Sequence, residues 1–164
     1  MARITLKGNP IQTSGNLPAV GSKVKEFKLA KQDLSDASLE SFAGKKKILN
    51  IFPSIDTAVC AKSVKQFFER AGTRKDLVVL NISADLPFAA KRFCSVEGIE
   101  NTVTLSTFRS SFPDDYGLRI LDGPLAGLCS RCVIVLDESN KVLATEQVPE
   151  IGQEPDYSKA LEAL

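Results

Sequence analysis

The chain has 164 residues, of which 43% are hydrophobic and 25% are charged, with 21 Lys and Arg against 20 Asp and Glu. This composition excludes a disordered, collagen-like or disulfide-stapled chain, and the length predicts a single domain over residues 1–164. The near-zero net charge gives no reason to expect binding to nucleic acid or to an anionic membrane. No apolar run approaches the roughly 20 residues of a membrane span, and residues 1–7 lack the apolar centre of a signal peptide. We therefore expect a cytoplasmic protein.

The histidine and cysteine content restricts the kinds of active site that the chain can have. The sequence contains no histidine, which excludes Ser-His-Asp triads, Cys-His proteases and histidine-containing metal sites. It contains four cysteines, at Cys60, Cys94, Cys129 and Cys132. In a cytosolic chain of this size, cysteines are more often catalytic, redox-active or metal-binding than structural staples. These four residues are therefore the first candidates for a function.

The first part of the chain predicts short elements. Residues 2–14 alternate polar and apolar side chains around Gly8-Asn9-Pro10, which predicts a β-hairpin with its turn at those three residues. Residues 15–25 predict a loop because they are rich in Gly, Pro and Ser, and residues 36–42 predict a brief helical turn. In residues 45–52 three lysines are followed by an apolar run that stops at Pro53, as expected of a buried strand.

Strands and helices then alternate towards the C-terminus. A helix over 57–71 is predicted by apolar residues at helical spacing, with capping oxygens from Ser54, Asp56 and Thr57 just ahead of it. The other predicted elements are strands over 77–83, 102–105, 132–137 and 142–148, and helices over 87–97, over 108–116 and after Pro155. Alternation predicts parallel pairing with right-handed crossovers, and the closing hairpin adds antiparallel strands. The predicted fold class is α/β, with a mixed central sheet covered by helices on both faces.

The segment most informative about chemistry is Phe52-Pro53-Ser54-Ile55-Asp56-Thr57-Ala58-Val59-Cys60. It places a cysteine in the first turn of a helix that follows a buried strand. The free backbone N–H groups at a helix N-terminus carry partial positive charge, which favours the nucleophilic thiolate. Cys60 is also in helical phase with Val64 and Phe67, so its spacing is equally compatible with an inert core cysteine.

A family resemblance separates these two interpretations. Segment 52–60 resembles the peroxidatic motif of the thiol peroxidase branch of the peroxiredoxins. Other motifs of that branch occur in the same order along the chain, namely Gly8-Asn9-Pro10, Pro87-Phe88-Ala89, Arg92-Phe93-Cys94, Thr104-Leu105-Ser106-Thr107-Phe108-Arg109, Asp122-Gly123-Pro124-Leu125 and Glu154-Pro155-Asp156-Tyr157. The resemblance implies a thioredoxin-like fold with an N-terminal β-hairpin, a homodimer, and no cofactor or metal. It also implies reduction of hydrogen peroxide and organic hydroperoxides with electrons from thioredoxin.

The same resemblance implies the roles of individual residues. Cys60 would be the peroxidatic nucleophile that becomes a sulfenic acid, and Cys94 would condense with it as the resolving cysteine of the same chain. Thr57 would hydrogen-bond the thiolate and the peroxide, and Pro53 would shield the pocket from water. Arg131 would stabilise the thiolate and the charge on the departing oxygen. Because two helix-borne cysteines are often too far apart for a disulfide, we expect one or both helices to unwind locally.

The pair Cys129 and Cys132 departs from the family pattern, which requires cysteine at neither position. Its spacing is that of a dithiol, but it leads into a predicted strand and lacks the activating end of a helix. The pair is compatible with two small core residues, with an accessory disulfide or alternative resolving partner of Cys60, and with half of a zinc site that would consume the nucleophile. Two other functions therefore stay open, a disulfide oxidoreductase using this pair and a non-catalytic redox sensor.

Overall fold

The computed structural model describes residues 1–99 and 101–164. Within these residues the strands are β1 (Arg3–Leu6), β2 (Asn9–Gln12), β3 (Leu29–Ala30), β4 (Asp36–Ala37), β5 (Lys46–Ile51), β6 (Leu77–Ser83), β7 (Val103–Ser106), β8 (Cys132–Leu136) and β9 (Val142–Gln147). The helices are α1 (Ala58–Ala71), α2 (Pro87–Glu97), α3 (Phe112–Asp115) and α4 (Tyr157–Glu162), with a 3-10 turn over Leu39–Phe42. Among the described residues, none of the helices has the length and apolar character needed to cross a bilayer.

A mixed central sheet forms the middle layer, with the strand order β4-β3-β7-β6-β5-β8-β9. β5, β6 and β7 are parallel, whereas β8 runs antiparallel to β5 and β9 runs antiparallel to β8. The crossovers through α1 and α2 step in the same direction along the sheet, so right-handed connections place both helices on one face. The predicted α/β class with a mixed sheet is confirmed.

The two faces of the sheet are covered differently. α1 and α4 share one face, where the rings of Phe67 and Tyr157 meet edge to face at a centroid distance of 5.0 Å. The opposite face is covered by the 3-10 turn, α3 and loops, and α3 spans four residues instead of the predicted 108–116. Gly117, at φ +70°, ends this helix because that backbone conformation does not continue a right-handed turn. Within residues 1–99 and 101–164, the helices α1, α2 and α4 therefore lie on one face, and the helical segments on the other face are four residues long.

The N-terminal hairpin is confirmed, but its predicted turn is wrong. β1 pairs with β2 from Arg3 opposite Gln12 to Leu6 opposite Asn9, which leaves Lys7 and Gly8 as the two turn residues. Both have positive φ, 51° and 80°, as required in the tight turns that match the twist of a hairpin. Pro10 lies inside β2, where a two-stranded ribbon leaves an edge that tolerates proline.

The ends of α1 and α2 fix the places of two cysteines. α1 begins after Thr57, so Cys60 lies in its first turn. α2 begins with Pro87 and ends at Gly98, whose left-handed φ of 69° turns the chain so that the N–H of Ile99 donates to the carbonyl of Cys94 at 3.0 Å. The predicted bounds of α2 are confirmed, because proline and glycine mark its two ends in the sequence.

Candidate active site

The site is built where the end of β5 meets the start of β8. These strands are antiparallel neighbours, with Ile51 opposite Cys132, so the segment after β5 lies beside the residue before β8. Side chains alternate along a strand, which puts Arg131 on the sheet face opposite to Cys132, the face that α1 covers. The sheet therefore brings Arg131 to Cys60.

Arg131 and Cys60 form the central contact of the site. Nη2 of Arg131 donates a hydrogen bond to Sγ of Cys60 at 3.2 Å, and both residues are buried, with exposures of 2% and 0%. Nε of Arg131 donates to the carbonyl of Ile151 at 2.8 Å. Nη1 is buried without a partner in the part of the chain that the structure describes. A buried cation favours a thiolate beside it, and the free Nη1 can donate to a ligand oxygen.

A buried chain of hydrogen bonds holds the backbone of Cys60. Ser63 Oγ donates to the carbonyl of Cys60 at 2.8 Å. Asn50 Nδ2 donates to Ser63 Oγ at 3.2 Å and to Asn81 Oδ1 at 2.9 Å. The first turn of α1 is thus tied to both β5 and β6. Asn50 and Asn81 are buried polar residues inside apolar strands, and that pattern was the sequence signal for this network.

The loop between β5 and α1 carries the two other predicted residues. Pro53 is buried, whereas Thr57 is exposed and its Oγ1 donates to the carbonyl of Ser54 at 3.0 Å. Thr57 therefore immediately precedes the helix that carries Cys60, but its hydroxyl bonds to the loop and not to the sulfur.

The predicted side-chain cap of α1 is wrong. Ser54 Oγ donates to Asp85, Asp56 pairs with Arg92, and the Thr57 hydroxyl bonds to the loop. In the described chain no side-chain oxygen caps this helix at Thr57. The first-turn N–H groups therefore keep their partial positive charge for the site.

Asp85 is a residue of the site that sequence reasoning missed. It lies between β6 and α2, and its Oδ1 accepts from Ser54 Oγ at 2.8 Å. Its Oδ2 accepts from the Ile55 N–H and from Ser83 Oγ, each at 2.7 Å. The carboxylate therefore fixes the loop that holds Pro53. Asp85 could have been recognised in the sequence as an acidic residue just after a buried strand. That strand, β6, is parallel to β5, so both end at the same edge of the sheet.

Cys94 shares an apolar cluster with Cys60. The buried members of this cluster are Phe52, Ile55, Cys60, Val64, Phe93, Cys94 and Ile99. Both cysteines are free thiols. Burial raises the pKa of the Cys94 thiol, and a hydrogen bond from Gln32 Nε2 to its sulfur, at 3.7 Å, works against that rise. The reduced protein thus keeps the two thiols in one apolar region on separate helices.

Comparison with known proteins gives the family. A family model described as Redoxin matches residues 19–161. The thiol peroxidases of Mycobacterium tuberculosis and Mycobacterium bovis are each 54% identical over 164 residues, covering all of this chain and 99% of theirs. The chain belongs to the thiol peroxidase family of peroxiredoxins. Like its relatives, this thiol peroxidase family member carries out thiol-dependent peroxide reduction through a redox-active cysteine.

Solved structures agree with this membership. A peroxiredoxin-like protein from Aquifex aeolicus is 33% identical, with a TM-score of 0.92 over 100% of this chain and 98% of that one. A thiol peroxidase from Chromobacterium violaceum, 24% identical, shares the fold with a TM-score of 0.88 over 99% and 95% of the two chains. The predicted thioredoxin-like peroxiredoxin fold with its N-terminal hairpin is confirmed.

Cys129 and Cys132 lie apart from the thiol peroxidase site. Both are fully buried in the cluster on the other face of the sheet, away from Cys60. Burial raises the pKa of Cys129 to about 12 and raises that of Cys132 as well. They are therefore protonated at neutral pH, which favours their interpretation as small core residues. Within residues 1–99 and 101–164, no three Cys, Asp or Glu side chains gather as a metal site would need.

Proposed function

We propose that this chain reduces hydrogen peroxide and organic hydroperoxides through Cys60, with Cys94 as the resolving thiol and thioredoxin as the reductant. The observation that carries the proposal is the 3.2 Å hydrogen bond from Arg131 Nη2 to Cys60 Sγ. It sets a permanent positive charge against a buried sulfur in the first turn of a helix. Both features favour the thiolate, which is the form that attacks peroxide.

The first step oxidises Cys60. Its thiolate attacks one peroxide oxygen, so that an S–O bond forms while the O–O bond breaks. The sulfur becomes a sulfenic acid, and the departing oxygen takes up a proton and leaves as water or an alcohol. Negative charge moves from sulfur to that oxygen, and the unpaired Nη1 of Arg131 is the donor that supports the transfer.

Thr57 and Pro53 shape the approach of the peroxide. Cys60 is fully buried, whereas Thr57 is exposed at the entrance to its helix. Rotation of the Thr57 side chain exchanges the Ser54 carbonyl for a peroxide oxygen as its hydrogen-bond partner. Buried Pro53 has no N–H to attract water, so it keeps this end of the pocket apolar.

The second step forms the Cys60–Cys94 disulfide. The Cys94 sulfur attacks the sulfenic sulfur, an S–S bond forms, and the hydroxyl leaves as water with the proton of the Cys94 thiol. The two cysteines start in the first turn of α1 and the final turn of α2, so local unwinding of one or both helices precedes the bond. Thioredoxin then reduces the disulfide by thiol–disulfide exchange and is itself oxidised.

Steady-state peroxide consumption with thioredoxin and its reductase tests the proposal. Wild type should turn over, Cys60→Ser should consume no peroxide, and Cys94→Ser should consume a single equivalent and stop. Turnover by Cys60→Ser would contradict the assignment of the nucleophile. Dithiol exchange that survives in Cys60→Ser and depends on Cys129 and Cys132 would support a disulfide oxidoreductase instead, and stoichiometric consumption by wild type would indicate a redox sensor.

We further propose that the working unit is a cytoplasmic homodimer of a single-domain chain. Leu86, Phe88 and Phe108 are large apolar residues exposed by 50%, 63% and 46%, and a hydrogen bond from Ser106 Oγ to the Asp85 carbonyl joins the end of β7 to the residues just before α2. Such a patch beside the site is typical of a protein interface. The four free thiols fit a reducing compartment. Light scattering on wild type and Phe88→Ser tests the dimer, and a mass that stays dimeric in Phe88→Ser contradicts this surface.

A further inference from the structure

The N-terminal hairpin is attached to the segment that follows β9. The Thr5 N–H donates to the carbonyl of Pro149 at 2.7 Å, and the Ile151 N–H donates to the carbonyl of Thr5 at 2.9 Å. The apolar side of the hairpin packs on the same segment, in a cluster with the members Ile4, Ile11, Ile120 and Ile151. Ile151 is therefore held by the hairpin through both its backbone and its side chain.

Glu150 locks this attachment. Its carboxylate accepts from Thr5 Oγ1 at 2.6 Å, from the N–H groups of Lys7 and Gly8 at 2.9 and 3.1 Å, and from the N–H of Gly152 at 3.2 Å. A single side chain thus connects β1, the turn of the hairpin and its own loop. These donors lower the pKa of Glu150 to about 2, so the carboxylate stays ionised throughout the neutral range.

The same segment holds Arg131. The Ile151 carbonyl accepts from Arg131 Nε at 2.8 Å, and the Val148 N–H donates to the Arg131 carbonyl at 3.0 Å. In the described residues, the guanidinium of Arg131 makes two hydrogen bonds. One goes to the Ile151 carbonyl and the other to the Cys60 sulfur. The residue that the hairpin holds, Ile151, is therefore the residue whose carbonyl orients the guanidinium, and Glu150 directly precedes it.

We propose that Glu150 is a positioning residue for peroxide reduction, and that the N-terminal hairpin is the support against which it holds the Ile151 carbonyl and thereby aims Arg131 at Cys60. The inference rests on the proposed roles of Cys60 and Arg131. According to this inference the hairpin contributes to peroxide reduction, although no residue of the hairpin bonds to the Cys60 sulfur. A guanidinium displaced by a fraction of an ångström loses its alignment with both the thiolate and the peroxide oxygen.

Glu150→Gln tests the proposal, since it keeps the shape of the side chain but removes the charge and replaces one accepting oxygen with a donor. We expect kcat/KM for hydrogen peroxide to fall between about 10- and 100-fold. The kcat at saturating peroxide should be unchanged, because resolution by Cys94 and reduction by thioredoxin do not use Arg131. A loss of folded protein would instead lower both parameters in proportion.

Asp122→Asn is the matched control. Asp122 Oδ1 accepts from the Gln12 N–H at 2.8 Å, so it anchors the β2 side of the same hairpin without touching the segment that holds Arg131. We expect this variant to lower Tm but to leave kcat/KM unchanged. An equal loss of kcat/KM in Asp122→Asn and Glu150→Gln would reduce Glu150 to a structural role and overturn the proposal.

A double-mutant cycle with Arg131→Lys separates this inference from the proposed function. If Glu150 acts through Arg131, Glu150→Gln should lower kcat/KM by less than about twofold when Arg131 is already replaced. The same fold loss in both backgrounds overturns the positioning role. Arg131→Lys with unchanged kcat/KM overturns the proposed role of Arg131, whereas turnover by Cys60→Ser overturns the proposed function itself. If Glu150→Gln does not fold, Thr5→Val takes its place in the cycle, because it removes the hydroxyl that donates to the Glu150 carboxylate. We expect Thr5→Val to lower kcat/KM by about 2- to 10-fold.

Discussion

Asp56 and Arg92 form an ion pair of 3.0 Å that joins the loop ahead of α1 to α2. Each of these helices carries one of the two proposed reacting cysteines. The pair therefore bridges the segments whose relative movement has to precede the disulfide. It is exposed enough to break readily, because the Asp56 side chain is 56% exposed and that of Arg92 is 63% exposed.

Arg92→Gln should speed formation of the Cys60–Cys94 disulfide, because it removes a contact present in the folded helices and absent once they unwind. We expect no more than about a fivefold increase, since exposed ion pairs are weak, and the gain should shrink at high salt. The chain contains no tryptophan, so quenched-flow mass spectrometry is the suitable measurement. The control is Arg74→Gln, which breaks the exposed pair with Asp76; a slower disulfide in Arg92→Gln would contradict the bridge.

Asp85→Asn should weaken peroxide reduction through the loop. The amide cannot accept from all of the Ser54, Ile55 and Ser83 donors that the carboxylate satisfies, so the segment with Pro53 loosens. We expect kcat/KM for peroxide to fall about tenfold. Asp137→Asn is the control, because Asp137 makes similar backbone bonds in the turn after β8, and equal losses in the two variants would contradict a local effect.

The stability contribution of Glu150 should depend on acidity. Its pKa lies at about 2 in the folded chain and at 4.5 without these contacts, so the contribution is complete above pH 4.5 and is lost as the pH falls towards 2. We expect wild type to have a higher Tm than Glu150→Gln at pH 7, with the difference narrowing between pH 4.5 and 2. A constant difference across that window would show that charge is not the cause.

Replacing Cys129 and Cys132 together with alanine should leave peroxide turnover intact. Their raised pKa values and complete burial keep them out of thiolate chemistry, and the loss of two buried sulfurs should cost about 1–2 kcal/mol of stability. Disulfide mapping of wild type after a single equivalent of peroxide should show the 60–94 linkage. A dominant linkage from Cys60 to Cys129 or Cys132 would contradict the proposed resolving role of Cys94.

Much of the fold was predictable because its signals are local. Pro87 and Gly98 bracket α2, and the apolar run over 77–83 coincides with β6. The hairpin turn was misplaced because Lys7, at φ 51°, occupies a conformation that lysine rarely adopts, while Gly8-Asn9-Pro10 has the composition of a turn. Residues 27–29 predict a short extended piece, which overlaps β3 at Leu29. β4 lies inside residues 36–42, which predict a helical turn, because a strand of two residues has no detectable period.

The site was predictable only in part, because its contacts cross the sheet. The cysteine motif and the family resemblance pointed to Cys60 and Arg131, which adjacent strands do bring together. Asp85 and Glu150 were missed because each acts by bonding to loop N–H groups, and loop geometry leaves no periodic pattern in a sequence. The direction of the Thr57 hydroxyl could not be predicted either, because it depends on the side-chain rotamer and not on the residue type.

The central sheet separates two populations of sulfur. Cys60 and Cys94 lie among the helices of one side, and Cys129 and Cys132 lie beneath the loops of the other. Because paired strands lie between the two populations, we expect a disulfide formed at Cys60 to join it to a thiol on its own side of the sheet. We therefore expect the thiols beneath the loops to stay reduced while the other pair is oxidised and reduced in turn.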